Sequence, residues 1–168
     1  NTFDVTINDA LSNAAANTGL LTKQGAGTLT LTGANTYTGN TLVNNGTLRV
    51  SGIGSLGTGA TTVNGSGSIL DLNRNDTWGG HSGSVQALSI QSGGLVTNGT
   101  AINSGFNTVQ TLSLDGGELR VTGTARAVAD GGLFKFEAYG IRDSVTVTGT
   151  AASSITNPTS ITNAGINI

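Results

Sequence analysis

Leucine and valine residues recur in short alternating strands at intervals of 19 to 25 residues, and this spacing constrains the fold more than any other feature. The recurring position is occupied by Leu29, Leu48, Leu70, Leu95 and Leu119, and the inward position two residues later by Leu31, Val50, Leu72, Thr97 and Val121. Positions that repeat with the same order and polarity predict parallel coils, each of which packs only on its neighbours. Antiparallel hairpins also alternate, but they do not require such a recurrence.

A second internal repeat supports the same architecture. The runs 85–99 and 109–123 align at an offset of 24 residues. The alignment sets Leu88, Ile90 and Leu95 against Leu112, Leu114 and Leu119. Glycine and asparagine, which tolerate the positive φ angles of tight corners, bound almost every run. At about 24 residues per coil, the sequence predicts an all-β, right-handed parallel β-helix of roughly seven coils over residues 1–168.

The composition limits the classes of partner. Only 10% of the residues are charged, the formal net charge is −2, and the chain contains no cysteine and one proline. This charge gives no electrostatic footprint for nucleic acid. No apolar run is long enough for a transmembrane helix, and the first residues do not resemble a signal peptide. The apolar content suits a thin core of the kind that a solenoid buries.

Two segments interrupt the regular pattern. Residues 73–83 are polar and contain the only tryptophan and the only histidine, so we predict a projecting loop in which Trp78 and His81 form a ligand-binding pair. The alternatives are that Trp78 folds back on the rod and that His81 is an exposed loop residue. Residues 153–168 are predicted to form a last coil or a frayed tail. Residues 133–139 form either a cap or a further coil, and residues 9–16 either a short helix or a corner.

Catalytic chemistry has little support in the sequence. Glu118 and Asp143 lie 25 residues apart and Asp115 and Glu137 lie 22 apart, so either acidic pair could meet on neighbouring coils as in polysaccharide-cleaving β-helices. Solvated charges at coil edges are the favoured interpretation of both pairs. One histidine and no cysteine exclude the usual zinc patterns. We therefore predict no catalytic, metal-binding or cofactor-binding residue and no cofactor.

An outward row at Thr28, Thr30 and Thr32 is typical of ice-binding β-helices, which need a flat threonine array over several coils. Arg49 occupies the stacked position on the next coil, and arginine would interrupt such an array. We therefore attribute the threonine row to strand propensity and cross-strand packing.

Residues 21–50 read LTKQGAGTLTLTGANTYTGNTLVNNGTLRV. The segment 21–51 resembles the passenger-associated repeat of bacterial autotransporters, the type V secretion systems. The motif positions are Lys23, Gly25, Gly27, Leu29, Leu31, Gly33, Asn35, Tyr37, Gly39, Gly46 and Leu48.

The resemblance implies a non-catalytic passenger segment that supports outer-membrane translocation and surface folding and acts as a stem. It implies a location at the cell surface of a Gram-negative bacterium and a partner in the protein's own C-terminal outer-membrane barrel. The alternative function is an adhesin module that binds host glycan or matrix, and a less favoured one is a polysaccharide lyase or hydrolase. Unpaired strands at an open end would also permit end-to-end self-association.

Overall fold

The computed structural model describes residues 2–74, 77–78, 86–98, 107–121 and 139–156. In these ranges the chain forms two parallel sheets and no helix. Sheet A contains seven strands: β1 (Val5–Ile7), β3 (Thr28–Leu31), β5 (Gly46–Val50), β7 (Ser68–Leu72), β9 (Leu95–Asn98), β11 (Glu118–Val121) and β13 (Ser154–Thr156). Sheet B contains six: β2 (Leu21–Lys23), β4 (Thr41–Val43), β6 (Thr61–Asn64), β8 (Ala87–Gln91), β10 (Asn107–Asp115) and β12 (Tyr139–Val147).

The chain passes alternately through the two sheets. Each strand pairs in parallel with the strand two further along the chain, so β2 pairs with β4 and β3 with β5. This order defines a β-solenoid, and the predicted all-β fold with parallel coils is confirmed. The handedness and the number of coils stay predictions. No helix in the described residues is long and apolar enough to cross a membrane.

The core lies between the sheets and consists of stacked aliphatic side chains. On sheet A, Leu29, Leu48 and Leu70 are in register, as are Leu31, Val50 and Leu72. On sheet B, Val43, Val63, Ile90 and Leu114 form the matching row. All of these side chains are fully buried apart from Leu29, which is half-buried against the core. The alternation of inward and outward positions follows the period of two in a strand.

The predicted leucine row is wrong at Leu95. Val96, not Leu95, pairs with both Leu70 and Leu119, and Val96 is fully buried whereas Leu95 is half-buried. Gln91 and Asp115 are in register, but the next inward residue follows Gln91 after five positions and Asp115 after four. This extra corner residue exchanges the inward and outward faces of β9, because one step along a strand reverses the side-chain direction.

The same displacement changes the next position. Thr97, predicted to point inward, pairs with Asp71 and Arg120 on the outer side, and fully buried Asn98 pairs with Val121. The repeat in sheet B is confirmed, since Leu88 and Ile90 pair with Leu112 and Leu114.

The remaining predicted segments are described in part. Residues 9–16 contain no helix and follow the corner alternative. Of the predicted loop 73–83, only Asn73, Arg74, Thr77 and Trp78 belong to the described residues. Of residues 133–139, only Tyr139 is described, as the first residue of β12. Ser154–Thr156 forms β13, and residues 157–168 lie outside the description.

Candidate functional site: the corner contacts of residues 21–50

Lys23 joins two consecutive coils at the corner that follows sheet B. The residue ends β2 and is only 6% exposed, and its Nζ donates hydrogen bonds to the carbonyl oxygens of Gln24 at 3.2 Å, Gly25 at 2.5 Å and Asn45 at 2.9 Å. An ammonium group has three donors, so these contacts satisfy it completely. The Asn45 oxygen belongs to the next coil, and Lys23 therefore acts as a clamp between coils.

Burial governs the electrostatics of this clamp. Loss of hydration lowers the pKa of the Lys23 ammonium, and the nearby Asp4 carboxylate raises it in part. Removing the side chain would leave carbonyl groups without their partner, and an unsatisfied buried acceptor costs about 1–3 kcal/mol.

Asn35 connects three successive coils. Its side chain is 93% buried as part of a residue with 7% exposure. Its Oδ1 accepts from the Leu11 amide at 2.7 Å, and its Nδ2 donates to the Ser55 carbonyl at 2.6 Å. The Ser55 hydroxyl in turn donates to the Asn35 carbonyl at 3.1 Å. The amide group thus satisfies backbone groups that lie between strands and have no ladder partner.

Tyr37 fills a buried position at the next corner. Its ring is 3% exposed, and its hydroxyl lies 2.7 Å from Thr41 Oγ1, which points inward from β4. A Cβ added to Gly57 would overlap the Tyr37 ring, and one added to Gly19 would contact Tyr37 Cβ at 3.6 Å. Small residues on the coils before and after therefore make room for the aromatic ring.

The glycines of the repeat have two separate structural reasons. Gly27, Gly33 and Gly39 lie directly over the backbone of the preceding coil, where a Cβ would overlap the carbonyl or peptide atoms of Phe3, Asp9 and Gly19. Gly25 has open space around it but a φ of 79°, which favours glycine. Gly46 combines both constraints, with a φ of 68° and close contacts to Gly25, Gly27 and Lys23.

Trp78 takes a comparable place on a later coil. Its side chain is 3% exposed in the core, and its Nε1 donates to Thr61 Oγ1 at 3.0 Å. The structure thus agrees with the alternative in which the indole folds back on the rod, whereas a sugar-stacking indole must be exposed. His81 lies outside the described residues, so its place in a ligand-binding loop stays a prediction.

Further asparagines that were not among the predicted site residues also link coils. Asn13 Oδ1 accepts from the Thr38 amide at 3.0 Å, and Asn107 Oδ1 accepts from the Thr77 amide at 2.9 Å. Asn107 is fully buried and its Nδ2 donates to the Arg74 carbonyl at 3.0 Å. Asparagines that precede a strand and lie a coil length from each other are the signal that could have identified them.

The acidic residues form structural ion pairs. Glu118 accepts from Arg120 at 2.6 Å, and hydrogen bonds from Arg120 and then Thr156 lower the pKa of its carboxyl group against the effect of burial. Glu118 pairs with Ser154 in sheet A, whereas Asp143 belongs to β12 in sheet B. The predicted proximity of Glu118 and Asp143 is therefore wrong, because residues one interval apart fall in different sheets where a coil is irregular. Glu137 lies outside the described residues.

Two other candidate surfaces were considered in the sequence. The outward threonine row is interrupted as predicted, since Thr30 pairs with Arg49 and Arg49 with Asp71 at an ion-pair distance of 2.8 Å. Across the described ranges, no group of three or more histidine, cysteine, aspartate or glutamate side chains is arranged to hold a metal ion.

The buried phenols provide a pH test of this packing. Burial raises the pKa of Tyr37, and hydrogen bonds at Thr41 and Gly57 lower it in part. Burial also raises the pKa of Tyr139 well above its ordinary value, and Asp71 adds to this effect. A raised folded-state pKa favours the neutral phenol in the folded state. The associated stability is therefore complete below the ordinary tyrosine pKa of about 10 and is lost as the pH rises through the folded pKa.

We expect Tyr37→Phe to reduce this alkaline loss and to cost about 1 kcal/mol at neutral pH through the hydrogen bond to Thr41. The measurement is urea unfolding of both proteins at neutral pH and above the ordinary tyrosine pKa. Lys23 has a lowered pKa and thus contributes in the opposite direction, but its contribution is common to both proteins. An identical alkaline loss in the variant would contradict the assignment to Tyr37.

Comparison with known proteins agrees with the arrangement of these corners. Residues 21–50 match the passenger-associated-transport-repeat family. Over 123 residues the chain is 32% identical to the Adhesin BmaC autotransporter of Brucella suis biovar 1 (strain 1330). That alignment covers 71% of this chain, which spans about 3% of the length of the relative. No solved structure matches the chain.

The parallel solenoid with buried corner contacts defines a β-helical rod segment. The repeat at residues 21–50 and the similarity to an autotransporter adhesin identify the chain as part of an autotransporter passenger. A passenger of this type is exported through the outer membrane to the surface of a Gram-negative bacterium.

Proposed function

We propose that this chain is a non-catalytic stem segment whose coils fold on one another at the cell surface and thereby support outer-membrane translocation. The observation that carries the proposal is the direction of the repeat's polar side chains. Lys23 and Asn35 are buried and bond the backbone of neighbouring coils instead of facing solvent. The residues that define the repeat are thus suited to joining coils.

Sequential folding follows from this geometry. A completed coil offers unpaired strand edges, and the next coil can add to them as a further parallel strand in each sheet. Asn35 and Lys23 add directional bonds at the corners, where the ladder provides none. In our proposal, the resulting right-handed rod of roughly seven coils holds a distal region of the passenger away from the membrane, and folding outside the cell prevents the chain from sliding back.

The proposed partner during export is the C-terminal outer-membrane barrel of the same protein. This assignment is supported by the autotransporter relationship, since passengers of that class are carried by their own translocator. The chain would cross in an extended form, and the absence of cysteine from the sequence removes any disulfide that could lock it earlier.

The experiment compares surface display of the full-length protein with Lys23→Ala, Asn35→Ala or a deletion of residues 21–51. Thr36→Ala is the matched control, because Thr36 lies in the same corner with an exposed side chain. We expect the Lys23 and Asn35 variants to show several-fold less passenger at the surface and more in the periplasm, with normal barrel insertion. The control should display normally. Equal display by all variants would contradict a role of the corner contacts in export.

An adhesin module is the second candidate, favoured by the name of the similar Brucella protein. Its ligand would be host glycan or matrix, bound by the loop with His81 or by a coil face. Normal display of the deletion variant with lost adhesion would support this function over the stem. The adhesin similarity also suggests a non-enzymatic role, and an acquired polysaccharide lyase or hydrolase activity is not proposed. End-to-end association through open strand edges stays a further proposal, testable by the size of the purified rod.

A further inference from the structure

Three Asn-Gly dipeptides occur in the chain, at Asn45, Asn64 and Asn98. Asparagine is among the thermolabile residues, and a following glycine leaves the next backbone nitrogen unhindered by a side chain. The structure distinguishes two of these dipeptides by what their glycine nitrogen contacts. Asn98 is fully buried, and the glycine after it lies outside the described residues.

At Asn45 the glycine nitrogen faces the side chain of its own asparagine. The Gly46 amide donates to Asn45 Oδ1 at 2.8 Å, and Asn45 is exposed to solvent. This bond keeps the nitrogen next to the Cγ atom of the same side chain, and held proximity of a nucleophile and its target is a large part of what accelerates an intramolecular reaction. A Cβ added to Gly67 of the next coil would lie 3.7 Å from the same oxygen, so glycine there leaves the side chain uncrowded.

Asn64 is a natural comparison because it has the same following residue. The Gly65 amide donates to the Gln91 carbonyl of the next coil at 3.1 Å, so its nitrogen is directed away from the Asn64 side chain. Asn64 is also half-buried at the end of β6. Its geometry therefore opposes the reaction that the geometry of Asn45 favours.

We infer that Asn45 is a site of spontaneous deamidation within the transport repeat. The Gly46 nitrogen attacks Cγ of Asn45, the Cγ–Nδ2 bond breaks, and ammonia leaves with the proton from the Gly46 nitrogen. Water then opens the resulting succinimide. Cleavage at Cγ gives aspartate, and cleavage at the main-chain carbonyl gives isoaspartate. The step needs water alone and involves no oxidation or reduction.

The modification acts on the Lys23 clamp. The main-chain oxygen of Asn45 accepts from Lys23 Nζ at 2.9 Å, and in isoaspartate this carbonyl becomes a free carboxylate. The chain then continues through the former side chain with an additional backbone atom before Gly46, which is tightly packed on Gly25 and Gly27. Isoaspartate should therefore loosen the contact between the two coils as the protein ages at the cell surface.

The experiment incubates the folded protein in warm, mildly alkaline buffer and quantifies deamidation by mass spectrometry of peptides containing Asn45 or Asn64. The same chain in concentrated urea is the control, because unfolding removes the structural difference between the two dipeptides. We expect Asn45 to react many-fold faster than Asn64 in the folded protein and at a similar rate in urea. Asn45→Gln should abolish the early product and preserve the unfolding temperature of the aged sample. Equal rates in the folded protein, or a faster reaction at Asn64, would overturn the inference.

Discussion

Gly46→Ala is expected to destabilise the solenoid more than the same change at any other open corner of the repeat. Its φ of 68° strains an L-residue, and the new methyl group would overlap the carbonyl oxygens of Gly25 and Gly27 and crowd the Lys23 ammonium. Left-handed strain costs about 1–3 kcal/mol and overpacking typically a further 1–3 kcal/mol, so we expect a total loss of about 2–6 kcal/mol. Urea unfolding followed by circular dichroism measures this loss.

Gly25→Ala is the matched control for this prediction. Gly25 has a similar φ of 79°, but no other atom lies within 4 Å of an added Cβ. The control therefore isolates the backbone term, which is about 1–2 kcal/mol for one left-handed residue. If both variants lost the same stability, the close approach of two coils at Gly46 would not contribute, and the corner description would be wrong.

The sequence was sufficient to predict the inward rows as far as Leu72. Alternation within each strand identifies the buried face, and equal corner lengths keep the rows in register. The prediction failed at Leu95 because corner length, unlike alternation, leaves no periodic signal. Ser92 and Gly93 both adopt positive φ, at 52° and 84°, in the corner that carries the extra residue. Only the observed pairing shows that Val96 occupies the inward position.

The roles of the polar motif residues were less accessible from sequence. Lysine is seldom buried, and nothing local to Lys23 indicates that an acceptor 22 residues away completes its bonding. The same holds for Asn35, whose partners lie 24 residues before and 20 residues after it. The resemblance located these residues correctly, whereas their physical function depends on contacts between coils.

Trp78 shows the opposite kind of failure. Its polar neighbours predicted a projecting loop, but an aromatic side chain can reach the core from an irregular segment when an inward partner is present. Thr61 provides that partner for the indole nitrogen, as Thr41 does for the Tyr37 hydroxyl. Buried aromatic residues with a polar atom need such a partner. Inward-facing threonines at equivalent positions of β4 and β6 are therefore part of the corner design.

Leu48→Ala should have the second large effect, through the core instead of the corner. Leu48 is fully buried and lies in register between Leu29 and Leu70, so its truncation removes contacts to both neighbouring coils. Leucine-to-alanine changes at such sites cost about 2–5 kcal/mol, with the upper values where the surroundings cannot collapse. The parallel ladder fixes the spacing of the strands, and little collapse is available here.

Thr47→Ala is the adjacent control, because Thr47 is half-buried on the outer side of the same strand. Outward positions without special contacts usually change stability by no more than about 0.5 kcal/mol. Denaturant unfolding should show a lower midpoint for Leu48→Ala with an unchanged slope if the rod still unfolds as one unit. A reduced slope would mean that the substitution uncouples the coils on either side, since a solenoid is held together by its nearest-neighbour interfaces. A loss no greater than that of Thr47→Ala would show that the inward row does not support the rod.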